Sequence, residues 1–142
     1  MKIAIGADHA GYYLKEQLIP VLQRLNFEIV DAGTHSAESV DYPDFAHPVA
    51  KSVEEKECTF GILICGSGNG VNITANKHQG IRSALCWNVE ISKLARQHND
   101  ANIIALPARY ISFEEASEMV EVFISTPFEG GRHSKRVDKI SC

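Results

Sequence analysis

Cys65 closes an apolar run, Phe60-Gly61-Ile62-Leu63-Ile64-Cys65, and Gly66-Ser67-Gly68-Asn69-Gly70 follows at once. A thiol at the end of a buried strand and beside a helix N-terminus sits where thiolate is favoured, which makes Cys65 a candidate nucleophile or base. A lone free cysteine is more commonly a small buried hydrophobe, and only the glycines next to Cys65 tip the reading toward chemistry. Three alternating glycines exceed what a tight strand-to-helix turn needs. They leave backbone N–H groups open at a helix start, which makes an anion hole. The loop is neither of the two familiar nucleotide cradles. The dinucleotide fingerprint wants glycine or alanine where Val71 stands, and no Gly-Lys-Ser/Thr is present. Gly6-Ala7-Asp8-His9-Ala10-Gly11 runs on into Tyr12 and is no phosphate loop either.

Other titratable groups have two readings each. Histidine is the side chain type that gives or takes a proton near neutrality, which makes His98 a candidate acid–base group. Equally, a histidine after a helix carrying Lys93 and Arg96 is simply favoured there as a cation. Asp8-His9 is either a ligand-contacting pair or a polar strand end. In Gly131-Arg132-His133-Ser134-Lys135-Arg136, a helical conformation would put Arg132 and Arg136 on one face. Two guanidinium forks on one face suit a phosphate dianion; otherwise the segment is a solvated basic tail. Arg109 joins that cluster or is plain surface. His35, His47 and His78 receive no role, and Cys58, Cys86 and Cys142 read as inert. No C-x-x-C pair and no convincing His/Asp/Glu ligand cluster is visible, so no metal is expected.

Elements must bring these residues together. Lys2–Ala7 reads as a buried strand. Gly11–Leu25 has helical spacing at Leu14, Leu18, Val21, Leu22 and Leu25, with Pro20 an awkward interior residue. Glu28–Asp31 is a strand, His35–Asp41 a polar loop, and Pro43–Lys56 a helix opening on proline. Phe60–Cys65, apolar on both faces, belongs in the middle of a parallel sheet. A helix over Val71–His78, a strand over Ile81–Leu85, a helix over Val89–Gln97 and a strand over Ile103–Leu106 follow. A helix over Phe113–Ile124 starts after Ser112, with Glu115 placed for a capping box. Strands alternating with helices imply a doubly wound parallel sheet, and in such sheets ligands sit beyond the carboxyl ends of the strands. Asp8-His9, Cys65-Gly66-Ser67 and His98-Asn99-Asp100 are therefore expected to gather at one edge.

The chain has 142 residues, which fit one domain, with residues 130–142 as a basic C-terminal tail closing the site. Hydrophobic residues make up 44% and charged residues 23%, a balance that excludes intrinsic disorder. A net charge of −4 argues against a nucleic-acid partner. No apolar run approaches a membrane span, and Met1-Lys2-Ile3-Ala4-Ile5-Gly6 breaks too early for a signal peptide. The expected compartment is the cytoplasm, where the cysteines stay reduced.

Seven ordered segments carry a resemblance across almost the whole length: Ile5–Gly11, Asp41–Asp44, Gly61–Gly70, Ala75–Lys77, Gly80–Arg82, Arg96–Asn102 and Glu129–His133. The chain resembles the ribose-5-phosphate isomerase B proteins, grouped with the galactose-6-phosphate isomerase subunits in one sugar-phosphate isomerase family. The resemblance implies a Rossmann-like α/β/α sandwich on a five-stranded parallel sheet. It also implies no cofactor or metal, and a homodimer, or a tetramer, with active sites at the subunit interface. It implies that Cys65 moves a proton between C1 and C2 of the sugar and that His98 opens the furanose ring. Asp8 and His9 would contact the substrate. Ser67, Gly68, Asn69, Gly70 and Val71 would form the anion hole, with Asn99 assisting, and Arg109, Arg132 and Arg136 would hold the phosphate. Ser67 stands where many relatives have threonine, and the hydroxyl is kept. Some relatives use a glutamate elsewhere as base; Cys65 and Asn76 mark the cysteine version here. The resemblance leaves three rivals to a ribose 5-phosphate isomerase: a six-carbon isomerase of the same family acting on allose or galactose 6-phosphate, a non-catalytic sugar-phosphate binding protein, and a redox-active thiol protein.

Overall fold

Continuous apolar character places Phe60–Cys65 at the centre of a sheet, and there it lies. The computed structural model describes residues 1–142. Its strands are β1 (Lys2–Ala7), β2 (Glu28–Asp31), β3 (Phe60–Cys65), β4 (Ser83–Leu85) and β5 (Ile103–Pro107). They form one sheet in the order β2-β1-β3-β5-β4, with every neighbouring pair parallel. Ile5 pairs with Ile62 and Ile62 with Ile104, so three strands present aliphatic residues in register.

The pleat divides the core in two. Phe60, Ile62 and Ile64 belong to a cluster that also takes in Leu14, Leu18, Leu22, Ala95, Ala116, Met119 and Phe123. Those side chains come from α1 (Tyr12–Arg24), α4 (Val89–Asn99) and α5 (Phe113–Ser125). Leu63 and Cys65, one residue out of phase, join Ala46, Val49, Ala50, Val53, Val71 and Ala75 from α2 (Pro43–Glu54) and α3 (Asn69–Ala75). Alternate residues of a strand face opposite sides, so helices cover both faces and three α/β/α layers result. Each fully buried Leu or Ile contributes about 1.5–3 kcal/mol through the water it no longer orders.

Local chemistry explains the boundaries. Ser112 caps α5 as expected: its hydroxyl accepts from the Glu115 amide (3.1 Å) while its own amide donates to the Glu115 carboxylate (3.0 Å). Pro20 leaves α1 unbroken, because it lies on the exposed face where the carbonyl it orphans meets water. β4 is shorter than the expected Ile81–Leu85, since the Arg82 amide is taken by the Asn102 side chain (2.9 Å) rather than by the ladder. The basic tail is not irregular. Arg132–Asp138 forms α6, so Arg132 and Arg136 do stand one turn apart.

One expectation fails on topology. In a parallel sheet all strands end at one edge, and each helix returns the chain to the other. Asp8 and Arg109 follow β1 and β5, Cys65 ends β3, and all three share the carboxyl edge. α4 is longer than the expected Val89–Gln97, and His98 and Asn99 are its last two residues. Its end lies at the amino edge, where the Arg82 guanidinium donates to the Asn99 and Asp100 carbonyls (2.9 and 3.1 Å). His98-Asn99-Asp100 therefore sits at the opposite edge of the same chain from Cys65.

Candidate active site

The carboxyl edge holds a cavity of about 250 Å³ lined by Asp8, His9, Ala10, Tyr42, Cys65, Gly66, Ser67, Gly70, Arg109 and Tyr110. Cys65 is buried, yet it forms part of this wall instead of lying behind it. It arrives there because β3 ends at Cys65 with its side chain on the α2/α3 side of the sheet.

The loop after β3 turns through Gly68, whose φ of +76° is a left-handed conformation that costs a β-carbon-bearing residue energy. A Cβ at Gly70 would meet the Tyr42 ring at 2.6 Å, so the bare backbone lets that ring lie against the loop. The amides of Gly66, Ser67, Gly68, Gly70 and Val71 donate to nothing within the chain, and the Asn69 amide only to the Ser67 hydroxyl at 3.3 Å. Five open donors in six residues are a ready receptor for an oxyanion.

The rest of the cavity is held by short-range bonds. One Asp8 carboxylate oxygen accepts from the amides of Ala10 (2.9 Å) and Gly11 (3.2 Å), which fixes the turn after β1. His9 Nδ1 accepts from the Val40 amide (3.2 Å), so the neutral ring carries its proton on Nε2. The Arg109 amide donates to the Gly66 carbonyl (3.1 Å), and its guanidinium lies over Gly66. An acid, an imidazole, a thiol, a guanidinium and open amides thus converge on one space.

Among the residues expected at the site, Asp8, His9, Cys65, Ser67, Gly70 and Arg109 meet in this cavity. Asn69 lines the adjoining depression with Leu85, Trp87 and Pro107. Gly68 and Val71 line neither: Gly68 makes the turn, and Val71 is packed in the core. His98, Asn99, Arg132 and Arg136 do not reach the cavity, and the tail does not close it within one chain. Tyr42 and Tyr110 were missed. Tyr42 stands immediately before Pro43 and α2, and Tyr110 follows Arg109 beyond β5, so the rule that ligands lie past the strand ends was the signal for Tyr110.

The amino-edge group is a second assembly. α6 packs on the end of α4, and the Glu129 amide donates to the Gln97 carbonyl (3.1 Å). The rings of His98 and His133 stack with centroids 4.3 Å apart and 13° between planes, and His98 Nε2 lies 3.6 Å from Glu129 Oε1. Burial, with the nearby charge of His98 and Arg132, holds the His133 pKa below the usual imidazole range. The ligand atoms of His98, Glu129 and His133 all lie within 4.8 Å of one another, a grouping the linear sequence does not display. Elsewhere, burial pushes the Cys86 thiol up to about 11. Asn76 caps α3 onto β4, its side chain accepting from the Ser83 amide (2.8 Å) and donating to the Ser83 carbonyl (2.9 Å).

Residues 3–140 match the family model described as Ribose/Galactose Isomerase. The chain is 43% identical over 140 residues to ribose-5-phosphate isomerase B of Escherichia coli, covering 99% of this chain and 94% of that one. It superposes on a ribose 5-phosphate isomerase structure from Thermotoga maritima with a TM-score of 0.96 and 51% identity, covering 99% of this chain and 97% of the other. A ribose-5-phosphate isomerase B structure from Mycoplasma genitalium with bound ribulose-5-phosphate matches with a TM-score of 0.95 and 41% identity, covering 98% and 93%.

Proposed function

This chain belongs to the ribose/galactose isomerase family and is an aldose–ketose isomerase interconverting ribose 5-phosphate and ribulose 5-phosphate, and we propose that it works by cis-enediolate proton transfer with Cys65 as the base. Isomerisation needs a proton taken from the carbon beside a carbonyl, and the resulting carbanion survives only as an enediolate whose oxygen charge is met by fixed donors. Cys65 shares the cavity wall with Gly66, Ser67 and Gly70, whose amides have no other partner; that juxtaposition carries the reading. The same thiol returns the proton to the neighbouring carbon. Asp8 and His9 hold sugar hydroxyls, and Arg109 contributes positive charge beside the loop.

Five-carbon sugar phosphates are mostly cyclic in water, so ring opening needs a second acid–base group, and His98 fits that task. It stands at the opposite edge of its own chain. A second copy in antiparallel orientation would bring its His98, Asn99, Arg132 and Arg136 over the first cavity and receive the same in return. The two arginines would grip the phosphate, whose binding energy positions the reacting end. The functional unit is then a homodimer with two interface sites, and its setting the cytoplasm. No helix is long and apolar enough to cross a membrane.

Purified chain given ribose 5-phosphate in deuterated water is expected to yield ribulose 5-phosphate with solvent deuterium incorporated, with or without a chelator. Absence of turnover, or no solvent deuterium in sugar cycled many times to equilibrium, overturns the proton-transfer reading.

A further inference from the structure

His98, Glu129 and His133 come from the end of α4, the turn before α6 and the first turn of α6, yet their ligand atoms converge within 4.8 Å. We propose that this two-histidine, one-carboxylate cluster binds one divalent transition cation of the zinc class, and that the bound ion withdraws His98 from the substrate. The second half of the proposal rests on the ring-opening role assigned to His98; the first half does not.

The donor set is that of open zinc sites, in which two imidazoles and a carboxylate leave a coordination position for water. No ring nitrogen of His98 or His133 is engaged in a hydrogen bond within the chain, so their lone pairs are available. The other histidine cluster differs. There His47 Nδ1 faces His78 Nε2 at 2.8 Å and His78 Nδ1 faces Glu54 at 3.1 Å, so three ring nitrogens are already spent on partners. His133 is buried, so its ring is held in place by its surroundings.

Tetrahedral coordination at Zn–N distances of 2.0–2.1 Å places ligand atoms about 3.3 Å apart. The cluster must therefore contract by up to about 1.5 Å from its 4.8 Å span, and the stacked rings must tilt to aim both lone pairs at one point. In the single chain the side chains of His98 and Glu129 are 40% and 49% exposed and, facing a cleft and not a packed core, can move, while buried His133 provides the fixed corner. Arg132 and Arg136 oppose the ion's charge and Glu129 offsets part of it, which describes a reversible site and not a structural one.

The test uses the full-length chain stripped with chelator, titrated with zinc by calorimetry and with cobalt by its visible absorption. The expected result is one ion per chain, with affinity weakened at least about tenfold in Glu129→Gln and in His133→Gln and unchanged in His47→Gln. Zinc should inhibit the isomerase, and Glu129→Gln should need at least about tenfold more zinc for the same inhibition. Because His133 is buried and its variant can fail to fold, the exposed Glu129→Gln carries the decision. No binding at millimolar zinc, or equal affinity in wild type and Glu129→Gln, overturns the proposal. Metal-free His98→Gln, assayed on ribose 5-phosphate, tests the ring-opening role separately: full turnover there removes the inhibitory consequence, and the cobalt titration still decides the site.

Discussion

Cys65 and Cys86 are both buried, and open space separates their fates. Cys65 borders a cavity with open amides; Cys86 is enclosed, and desolvation raises its pKa to about 11. Replacing Cys65 with alanine should lower turnover by about 10²–10⁴-fold, the usual worth of a positioned general base. Binding of inorganic phosphate, measured by calorimetry, should persist, because the sulfur is not part of the phosphate grip. Cys86 makes a prediction about stability. Its folded-state pKa is raised, so below the unfolded value of 9.0 the thiol is neutral in both states and costs nothing. As pH rises from about 9 toward 11, only the unfolded chain ionises and stability falls. Two units correspond to about 2–3 kcal/mol. Urea unfolding of wild type and Cys86→Ala at pH 8 and pH 10.5 should show a smaller alkaline loss in the variant.

The elements were legible where one physical rule governed them. β3 announced itself by apolar residues on both faces, and α5 by Ser112 and Glu115. The cavity residues on β1, β3 and β5 followed from the strand-end rule, because Asp8, Cys65 and Arg109 each stand at or just past the end of a strand. His98 was placed at the wrong edge because a helix that follows a parallel strand must run back, and its end leaves the site it began near. The pairing of His98 with Glu129 and His133 was invisible, since thirty residues of chain and all of α5 intervene. What anchors that distant turn is Arg96. Its guanidinium donates to Asp100 (2.9 Å), to the Ala101 carbonyl (2.5 Å) and to the Thr126 carbonyl (3.2 Å) while lying over the Phe60 ring at 4.9 Å. Arg96→Ala leaves buried carbonyls without donors and should cost about 3–5 kcal/mol, as breaking a buried charged network does. A melting point lower by roughly 10 °C is expected in calorimetry, with loss of ring-opening activity as α4 frays.

At the scale of the whole molecule, the two groups of candidate site residues lie at opposite edges of one sheet, and complementation tests whether they cooperate across chains. Cys65→Ala and His98→Gln should each be inactive alone. Unfolded together and refolded as an equal mixture, they form mixed dimers in which one cleft has both native groups, so about one quarter of wild-type activity should return. No recovery would confine the site to one chain. The placement of the α4 terminus at the amino edge reaches further than the reaction. With the pairing proposed above, rate per polypeptide would cease to be a constant of the polypeptide: it would collapse once dilution separated the pair, and a defective allele co-expressed with a sound one would spoil clefts in chains that are themselves unblemished.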